Sequence, residues 1–333
     1  MSDVTSRGAS GNSGKSGEIV LIMTSGKEGR LEPQSTSRSR KVVGLGEALW
    51  DLLPVGKQVG GAPLNFAYIS SLLDGRAAIA SRIGIDRLGR DLERELSRRG
   101  VEIGYLQHDP GLPTGTSKVM ISADGQPRFE IGRPAAWDRM EATPEWKELA
   151  GEADAVSFGT LAQREEQSRR AIAAFLAATR PQCVRIFDVN LRPPFYSRDT
   201  VLDSIRRATI VKVNQEELTQ VTIMAGLSLG ASPQDVRALA THLGVELICV
   251  TRGDHGSLLA TPRRVVEHPG FPVRVVDTVG AGDAFAAAVA CCWGLHIGLE
   301  RTSEVANRWA AWVASQPGAM PLIDEALRRQ MLP

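Results

Sequence analysis

The sequence predicts an α/β protein with a mainly parallel central sheet that is covered by helices on both faces. From residue 153 onward, short apolar runs typical of buried strands alternate with helical patterns, and this alternation is the mark of such a sheet. The chain has 333 residues, 43% of them hydrophobic, which is ample for a sizeable core. We expect one main domain over residues 41–333.

The first 40 residues differ from the rest of the chain. They contain nine Ser and six Gly and little that could be buried, so we expect a disordered tail over residues 1–40. Within it, residues 11–16 imitate a phosphate-binding P-loop, but Ala9 occupies the position of the first glycine and no apolar strand precedes it. We therefore predict no nucleotide site there.

The main domain reads as a succession of strands and helices. Strands are predicted over residues 42–45, 77–81, 155–158, 183–187, 210–213, 247–250 and 274–276. Helices are predicted over residues 62–72, 87–99, 165–179, 233–243, 281–293 and 300–314. Asp86 is the expected N-cap of the second helix.

Residues 105–132 do not show the alternation of strand and helix patterns seen later in the chain. Two strand-like runs, residues 118–122 and 128–131, flank an Asp-Gly turn at residues 123–126, which is a strong signal for a β-hairpin. Together with residues 52–58, these strands predict a small sheet that stands off the main domain.

A run of small residues, 277–285, joins a predicted strand to an apolar helix. Gly280 and Gly282 allow the backbone to approach a bound group closely. A helix that begins near Ala281 leaves its first N–H groups unpaired with partial positive charge behind them, and phosphate is the usual guest of such a site. Asp283 in the same turn could take a proton from an attacking hydroxyl, or it could merely cap the helix.

Polar side chains also follow the strand predicted over residues 183–187. They are Asp188, Asn190 and Arg192. Groups just beyond the C-terminal end of a parallel strand point into the ligand crevice of the sheet. Arg192 could hold phosphate oxygens with two hydrogen bonds at once, a task that Lys performs less well.

Charge and composition disfavour several other classes. The net charge of +1 creates no field for nucleic acid or a membrane, and no apolar run approaches the roughly 20 residues that span a bilayer. The four cysteines and five histidines lack metal-ligand spacing, so we expect no protein-only zinc site and a reducing, cytoplasmic location. Gly44 and Gly46 suggest a dinucleotide fingerprint, but Leu49 stands where its third glycine must be.

Two motifs resemble the signatures of the ribokinase-like (PfkB) carbohydrate kinases. Asp-Thr-Val-Gly-Ala-Gly-Asp at residues 277–283 is similar to the family's C-terminal signature, and Gly-Gly-Ala-Pro-Leu-Asn at residues 60–65 is similar to its N-terminal signature. The resemblance covers residues 42–321. It implies a three-layer α/β/α fold whose small sheet is a lid over the sugar site, and a homodimer formed through that lid.

The resemblance implies ATP-dependent phosphorylation of a sugar hydroxyl. It makes Asp283 the general base and the backbone amides of Gly280, Ala281, Gly282 and Asp283 the anion site for the transferred phosphate. It implies sugar binding by Asp51, Gly61, Asn65 and Arg133. It implies nucleotide and phosphate binding by Arg192, Asn214, Glu217, Thr251, Gly253, Gly256 and Asn307.

The resemblance also implies two kinds of ion. Mg²⁺ would be bound with the ATP phosphates, with Glu217 acting through a water molecule, since Mg²⁺ keeps much of its water shell. The loop at residues 318–321 is similar to one that helps hold a monovalent cation such as K⁺ in many relatives. Asp277 and the carbonyl of Val279 would complete that cation site.

The Asp-x-Asn-x-Arg pattern of residues 188–192 resembles fructokinases, so fructose, giving fructose 6-phosphate, is the preferred substrate. 2-Keto-3-deoxygluconate, ribose and nucleosides remain open. A nucleoside kinase is expected to carry aromatic lid residues, and the lid strands offer only Tyr105 and Phe129, which favours a sugar. A non-catalytic regulatory or binding protein on the same fold is the rival of another class, and the intact 280–283 loop disfavours it.

Overall fold

The computed structural model describes residues 39–53, 56–73, 75–121 and 127–333. The tail predicted over residues 1–40 lies, up to residue 38, outside these ranges, and so does the Asp-Gly turn predicted at 123–126. None of the helices in these ranges combines the length and the apolar character that crossing a membrane requires.

The elements follow one another in the alternating order that the sequence predicts. The strands are β1 (Arg40–Leu45), β2 (Leu49–Leu53), β3 (Gly56–Gly60), β4 (Gly75–Gly84), β5 (Leu106–Asp109), β6 (Gly115–Ile121), β7 (Pro127–Ile131), β8 (Ala155–Gly159), β9 (Val184–Asp188), β10 (Ile210–Asn214), β11 (Leu247–Thr251), β12 (Ser257–Ala260) and β13 (Val265–His268). The α-helices are α1 (Ala62–Leu72), α2 (Arg87–Arg98), α3 (Pro144–Glu152), α4 (Glu166–Ala178), α5 (Arg198–Arg207), α6 (Gln215–Met224), α7 (Pro233–Leu243), α8 (Ala281–Gly294), α9 (Leu299–Ala314) and α10 (Glu325–Met331).

Nine strands form the central sheet, in the order β13-β12-β11-β10-β9-β8-β1-β4-β5. Every neighbouring pair from β11 to β5 is parallel, which confirms the predicted mainly parallel sheet. At one edge, β12 and β13 form an antiparallel hairpin that the sequence did not predict. Each of its strands has only four residues, too few to show a clear alternation of apolar and polar side chains.

Helices cover both faces of the central sheet. On β1, Val42 packs in one apolar cluster and Val43 in another, because successive side chains of a strand point to opposite faces. The first cluster includes residues of α1, α2, α8 and α9, and the second includes residues of α3 to α7. This arrangement confirms the three-layer α/β/α fold.

A second, small sheet has four strands in the order β3-β2-β6-β7. The lid predicted over residues 52–58 and 105–132 corresponds to it, with one correction. Residues 106–109 form β5, which pairs in parallel with β4 at the edge of the central sheet. Because α2 connects β4 to β5, the chain makes a strand–helix–strand crossover, and such a crossover returns to the same sheet.

Residues 274–276 do not form the strand that the sequence predicts. Val275 and Val276 are 57% and 58% exposed, and the N–H of Val276 donates to the carbonyl of Ala314 in α9 instead of to a neighbouring strand. Apolar residues in an extended run are therefore not enough here, since this stretch has no strand partner. The chain passes from it directly into the turn that begins α8.

Candidate active site

A cavity of about 380 Å³ lies at the carboxyl ends of the parallel strands. β9, β10 and β11 end in Asp188, Asn214 and Thr251, and all three residues line the cavity. α1 and α8 begin at the same place, with Ala62 and Gly282 in the cavity wall. Ligands of open α/β sheets bind in this position, because strand ends and helix N-termini converge there.

Gly280 makes the tight entry into α8, which begins at Ala281 as the sequence predicts. Its φ of 82° lies in the left-handed region, and a Cβ added to it would be 2.5 Å from the Cβ of Ala319. Both constraints require glycine. The turn therefore packs directly on the loop that follows α9.

The first turn of α8 presents unpaired backbone donors. The N–H of Ala284 bonds to the carbonyl of Gly280 at 2.9 Å, which starts the helical ladder, and the N–H of Ala281 donates back to the preceding turn at 3.3 Å. Among the described residues, no acceptor takes the N–H groups of Gly282 and Asp283. The N–H of Gly280 likewise has no acceptor in the described ranges, so three of the four predicted anion-site amides are available as donors to a phosphate.

Gly280 is the N-cap of α8 and Asp283 is the third residue of the helix, so Asp283 is not the N-cap residue that one alternative made it. Instead, its Oδ2 accepts a hydrogen bond from Asn65 Nδ2 at 2.8 Å. Burial and the charge of Asp188 raise the pKa of Asp283 to about 6, against the lowering effects of Lys212, the Asn65 hydrogen bond and Arg192. The carboxyl group is therefore ionised at neutral pH and is a stronger base than an ordinary aspartate.

A buried ion pair lies beside the first turn of α8. Lys212 Nζ is 3.0 Å from both carboxylate oxygens of Asp188, its register partner on β9. A Cβ added to Gly282 would be 2.9 Å from this Nζ, so the ammonium lies against the anion-binding turn. Burial lowers the pKa of Lys212, but the carboxylates of Asp188, Glu217 and Asp283 outweigh it, and the net effect is a raised pKa. The lysine stays charged.

Two charged residues of the cavity, Lys212 and Glu47, were not among the predicted site residues. Their signal in the sequence was a charge inside an apolar environment: Lys212 stands in the Ile-Val-Lys-Val run of β10, and Glu47 follows the apolar β1. Both are buried, at 8% and 2% exposure. Because an isolated buried charge is costly, such a residue is paired or meets a ligand.

Three of the four predicted sugar ligands, Asp51, Gly61 and Asn65, line the cavity together. Burial raises the pKa of Asp51 to about 6, although the nearby Ser117 hydroxyl and the charge of Arg192 oppose the shift. Asn65 is 4% exposed, and its Oδ1 has no partner within the described part of the chain. One end of the Asn65 amide therefore binds Asp283, while the other end can accept a hydrogen bond from a ligand.

Arg133, the fourth predicted sugar ligand, lies outside the cavity wall. Its side chain is 58% exposed, and its Nη2 is 2.6 Å from Oε1 of Glu165, just before α4. Glu165 holds the guanidinium at the surface in this structure, and the role of Arg133 at the substrate stays a prediction.

Arg192, Asn214 and Thr251, predicted for nucleotide and phosphate binding, line the same cavity. Glu217 lies just behind them. Its Oε2 accepts the N–H of Asn214 at 2.9 Å, and its Oε1 accepts the N–H of Leu191 at 3.0 Å. Asn214 Oδ1 in turn accepts the N–H of Glu217 at 2.8 Å, which completes a capping box at the start of α6. Glu217 thereby positions the segment that carries Arg192.

The other three predicted nucleotide residues do not line the cavity. Gly253 and Gly256 have φ values of 61° and 76° in the turn to β12, and a Cβ on Gly256 would be 2.0 Å from the carbonyl oxygen of His268. Asn307 is buried, and its Nδ2 donates to Ser257 Oγ and to a carbonyl one turn earlier in α9, both at 2.7 Å. The two glycines serve the turn, and Asn307 joins α9 to β12.

The predicted ion-binding residues have structural partners of their own. Asp277 Oδ1 accepts the N–H of Val279 at 3.0 Å, and its Oδ2 accepts the N–H of Gly318 at 3.2 Å, so Asp277 ties the anion-binding turn to the loop after α9. The described ranges contain no group of three or more His, Cys, Asp or Glu side chains that could hold a metal. An ion bound here would take most of its ligands from water, carbonyls or phosphate, and that is the usual chemistry of protein-bound Mg²⁺.

Comparison with known proteins gives a consistent result. Residues 47–326 match the model of the pfkB family carbohydrate kinase. The chain is 30% identical to a fructokinase of Escherichia coli over 308 residues, which cover 85% of this chain and 95% of that one. Among solved structures, the fructokinase of Vibrio cholerae with fructose, ADP and calcium ion bound is 26% identical, with a TM-score of 0.72 and 89% and 99% of the two chains covered. A sugar kinase of Pyrococcus horikoshii in complex with ATP is 26% identical, with a TM-score of 0.73 and 88% and 100% covered.

Proposed function

The chain belongs to the pfkB family of carbohydrate kinases and is an ATP-dependent sugar kinase, and we propose that its acceptor is fructose and its product fructose 6-phosphate. Support for fructose comes from the fructokinase relatives and from the Asp-x-Asn-x-Arg pattern that ends in Arg192 at the cavity. The observation that carries the mechanism is the 2.8 Å hydrogen bond between Asn65 and Asp283, beside the free amides of α8.

In the proposed mechanism, Asp283 removes the proton of the attacking hydroxyl. The oxygen of that hydroxyl forms a bond to the γ-phosphorus while the bond from the γ-phosphorus to the bridging oxygen of ADP breaks. A positioned base of this kind typically contributes about 10²–10⁴-fold to the rate. The raised pKa of about 6 supports this role, because the base is deprotonated near pH 7 and still binds a proton well.

The remaining residues of the cavity bind and stabilise in this proposal. Asp51 and Asn65 orient the sugar through its hydroxyls, next to the backbone of Gly61. The N–H groups of Gly282 and Asp283, with Gly280 setting the turn and Ala281 beginning the helix, receive charge that spreads over the transferred phosphoryl group. Arg192 and Lys212 supply the positive charges beside it.

We propose Mg²⁺ as the metal that accompanies ATP, where it would neutralise phosphate charge during transfer. Glu217 fits a role through water, because each of its carboxylate oxygens accepts one backbone N–H and keeps a second lone pair. Asn214 and Thr251 line the same cavity and would contact the nucleotide. A monovalent cation such as K⁺ would take Asp277 and carbonyls of the loop after α9.

The substrate proposal is tested by a coupled ADP assay on purified protein with Mg²⁺ and ATP. The acceptors are fructose, 2-keto-3-deoxygluconate, ribose, glucose and adenosine, and the position of the phosphate is read by ³¹P and ¹³C NMR. We expect the largest kcat/KM for fructose and phosphate on its 6-oxygen. A tenfold larger kcat/KM for any other acceptor would reject fructose and keep the kinase assignment.

We also propose a homodimer formed through the small sheet, the surface that the family resemblance assigns to this contact. Light scattering after size-exclusion chromatography measures the mass directly against the 35.9 kDa of one chain. A monomer at all concentrations from 1 to 100 µM would reject this proposal.

A further inference from the structure

Glu47 is a buried acid in the wall of the same cavity. It follows β1 and precedes β2, is 2% exposed, and lines the cavity together with Asp51 and Asp283. Its main chain is closely packed, since a Cβ on Gly61 would be 2.5 Å from the carbonyl oxygen of Glu47. The position of this residue is therefore set by the backbone of both β1–β2 and the entry to α1.

The carboxyl group of Glu47 uses only part of its hydrogen-bonding capacity within the protein. The backbone N–H groups of Glu47 itself and of Ala62, the first residue of α1, act on this carboxyl group by lowering its pKa. Its Oε2 is buried and has no hydrogen-bond partner among the described residues. Buried polar atoms in native proteins nearly always have a partner, so a buried oxygen without one in a cavity wall indicates a ligand that supplies it.

The surroundings of Glu47 narrow the chemistry of that ligand. Burial raises the pKa of Glu47 to about 7, the charge of Asp283 adds to the rise, and the charge of Arg192 opposes it. An anionic group of a ligand would be repelled by the neighbouring carboxylates of Asp51 and Asp283, whereas a neutral hydroxyl group would not. A hydroxyl group is also what the proposed substrate offers.

We propose that Glu47 is a specificity-determining ligand of the acceptor, whose Oε2 accepts a hydrogen bond from a sugar hydroxyl other than the one that is phosphorylated. This inference rests on the proposed function, since it uses the same cavity for the sugar. A site built to bind a hydroxyl discriminates strongly against an analogue that lacks it, because the buried oxygen is then left unpaired. The alternative is that Glu47 only caps α1, in which case it has no preference among acceptors.

The test compares acceptors that each lack one hydroxyl group, in the wild type and in variants of Glu47, as in a double-mutant cycle. Wild type, Glu47→Ala and Glu47→Gln are assayed with fructose and with its 1-deoxy, 3-deoxy and 4-deoxy analogues. We expect one analogue to lose about 10²-fold in kcat/KM with wild type and to lose no more than about threefold with Glu47→Ala, with Glu47→Gln between them. The matched control is Asp86→Asn, which removes a charge from the N-cap of α2, outside the cavity.

The control variant is expected to reproduce the wild-type pattern of losses across the analogues. If every analogue loses the same factor with Glu47→Ala and Glu47→Gln as with wild type, the proposal is overturned and Glu47 is a capping residue. If Glu47→Ala does not fold, the proposal stands or falls on whether Glu47→Gln reduces one loss at least threefold relative to the others.

A failure of the proposed function gives a different result. If wild type prefers another sugar, the deoxy analogues of that sugar replace those of fructose and the same criterion applies. If wild type phosphorylates no sugar, calorimetric binding of the same analogues provides the cycle. Equal affinities for all analogues in wild type and both variants would then overturn the role of Glu47 as well.

Discussion

Asn65 Nδ2 donates a hydrogen bond to Asp283 Oδ2 at 2.8 Å, although 218 positions separate the two residues in the chain. Asn65 lies in the first turn of α1 and Asp283 in the first turn of α8, and these helices pack against each other on one face of the sheet. The contact joins the two motifs of the sequence into one site. It orients the carboxyl group by a neutral donor that cannot compete for the proton.

Asp283→Asn is predicted to lower kcat by about 10²–10⁴-fold, because the amide cannot accept the hydroxyl proton. The KM values for sugar and ATP should change little, since the side chain keeps its size. Steady-state kinetics measure both parameters, and calorimetry of ATP binding is the control for an intact site. Activity within threefold of wild type would remove Asp283 from the mechanism.

The pH profile of kcat/KM is predicted to fall on the acid side near pH 6. Asp283 and Asp51 both have pKa values raised to about 6, chiefly by burial, and each works in its ionised form. Activity is therefore expected above these pKa values and is lost as the two carboxylates are protonated at lower pH. Asn65→Leu removes a hydrogen bond that lowers the pKa of Asp283, so it should move the limb to higher pH. If the acid limb of the pH profile does not move in this variant, the group whose titration limits activity is not Asp283.

Lys212→Met is predicted to destabilise the protein strongly, by about 3–5 kcal/mol, because it leaves Asp188 as a buried charge without its partner. The double variant Lys212→Met/Asp188→Asn should recover most of that loss, since neither charge remains. Urea unfolding followed by tryptophan fluorescence measures the free energy of unfolding. Equal destabilisation of the single and double variants would contradict the pairing.

The same double variant separates stability from catalysis. With the fold restored and the ammonium absent, kcat should remain at least tenfold below wild type, because a positive charge beside the Gly282 amide is lost. Wild-type turnover in a stable double variant would confine Lys212 to a structural role.

Gly280→Ala is predicted to disrupt the anion-binding turn, because φ is 82° and the added Cβ would be 2.5 Å from the Cβ of Ala319. Gly226→Ala is the matched control, since Gly226 has a φ of 75° but no heavy atom within 4 Å of an added Cβ. Both variants carry the left-handed strain of about 1–2 kcal/mol. Only Gly280→Ala should raise the KM for ATP, which kinetics at fixed sugar concentration would reveal.

Much of the site was predictable because its residues follow local rules. Gly280 and the start of α8 at Ala281 come from the chemistry of one turn, and the position of Asp188 comes from the rule that parallel strands end at a common crevice, whereas Asn214 and Thr251 were implied by the family resemblance. Strand and helix alternation likewise predicted the parallel sheet. These features depend on neighbours in sequence, so the sequence alone determined them.

Only the tertiary structure decided which distant residues meet. Lys212 pairs with Asp188 because β9 and β10 are adjacent in a particular register, while Arg133 is held by Glu165 at the surface, although sequence reasoning placed it at the sugar. Glu47 became a candidate ligand only when its free oxygen was seen in the cavity. The physical reason is common to all three: the charge and hydrogen bonding of a buried side chain depend on what other segments bring within about 3 Å, and a linear pattern does not contain that information.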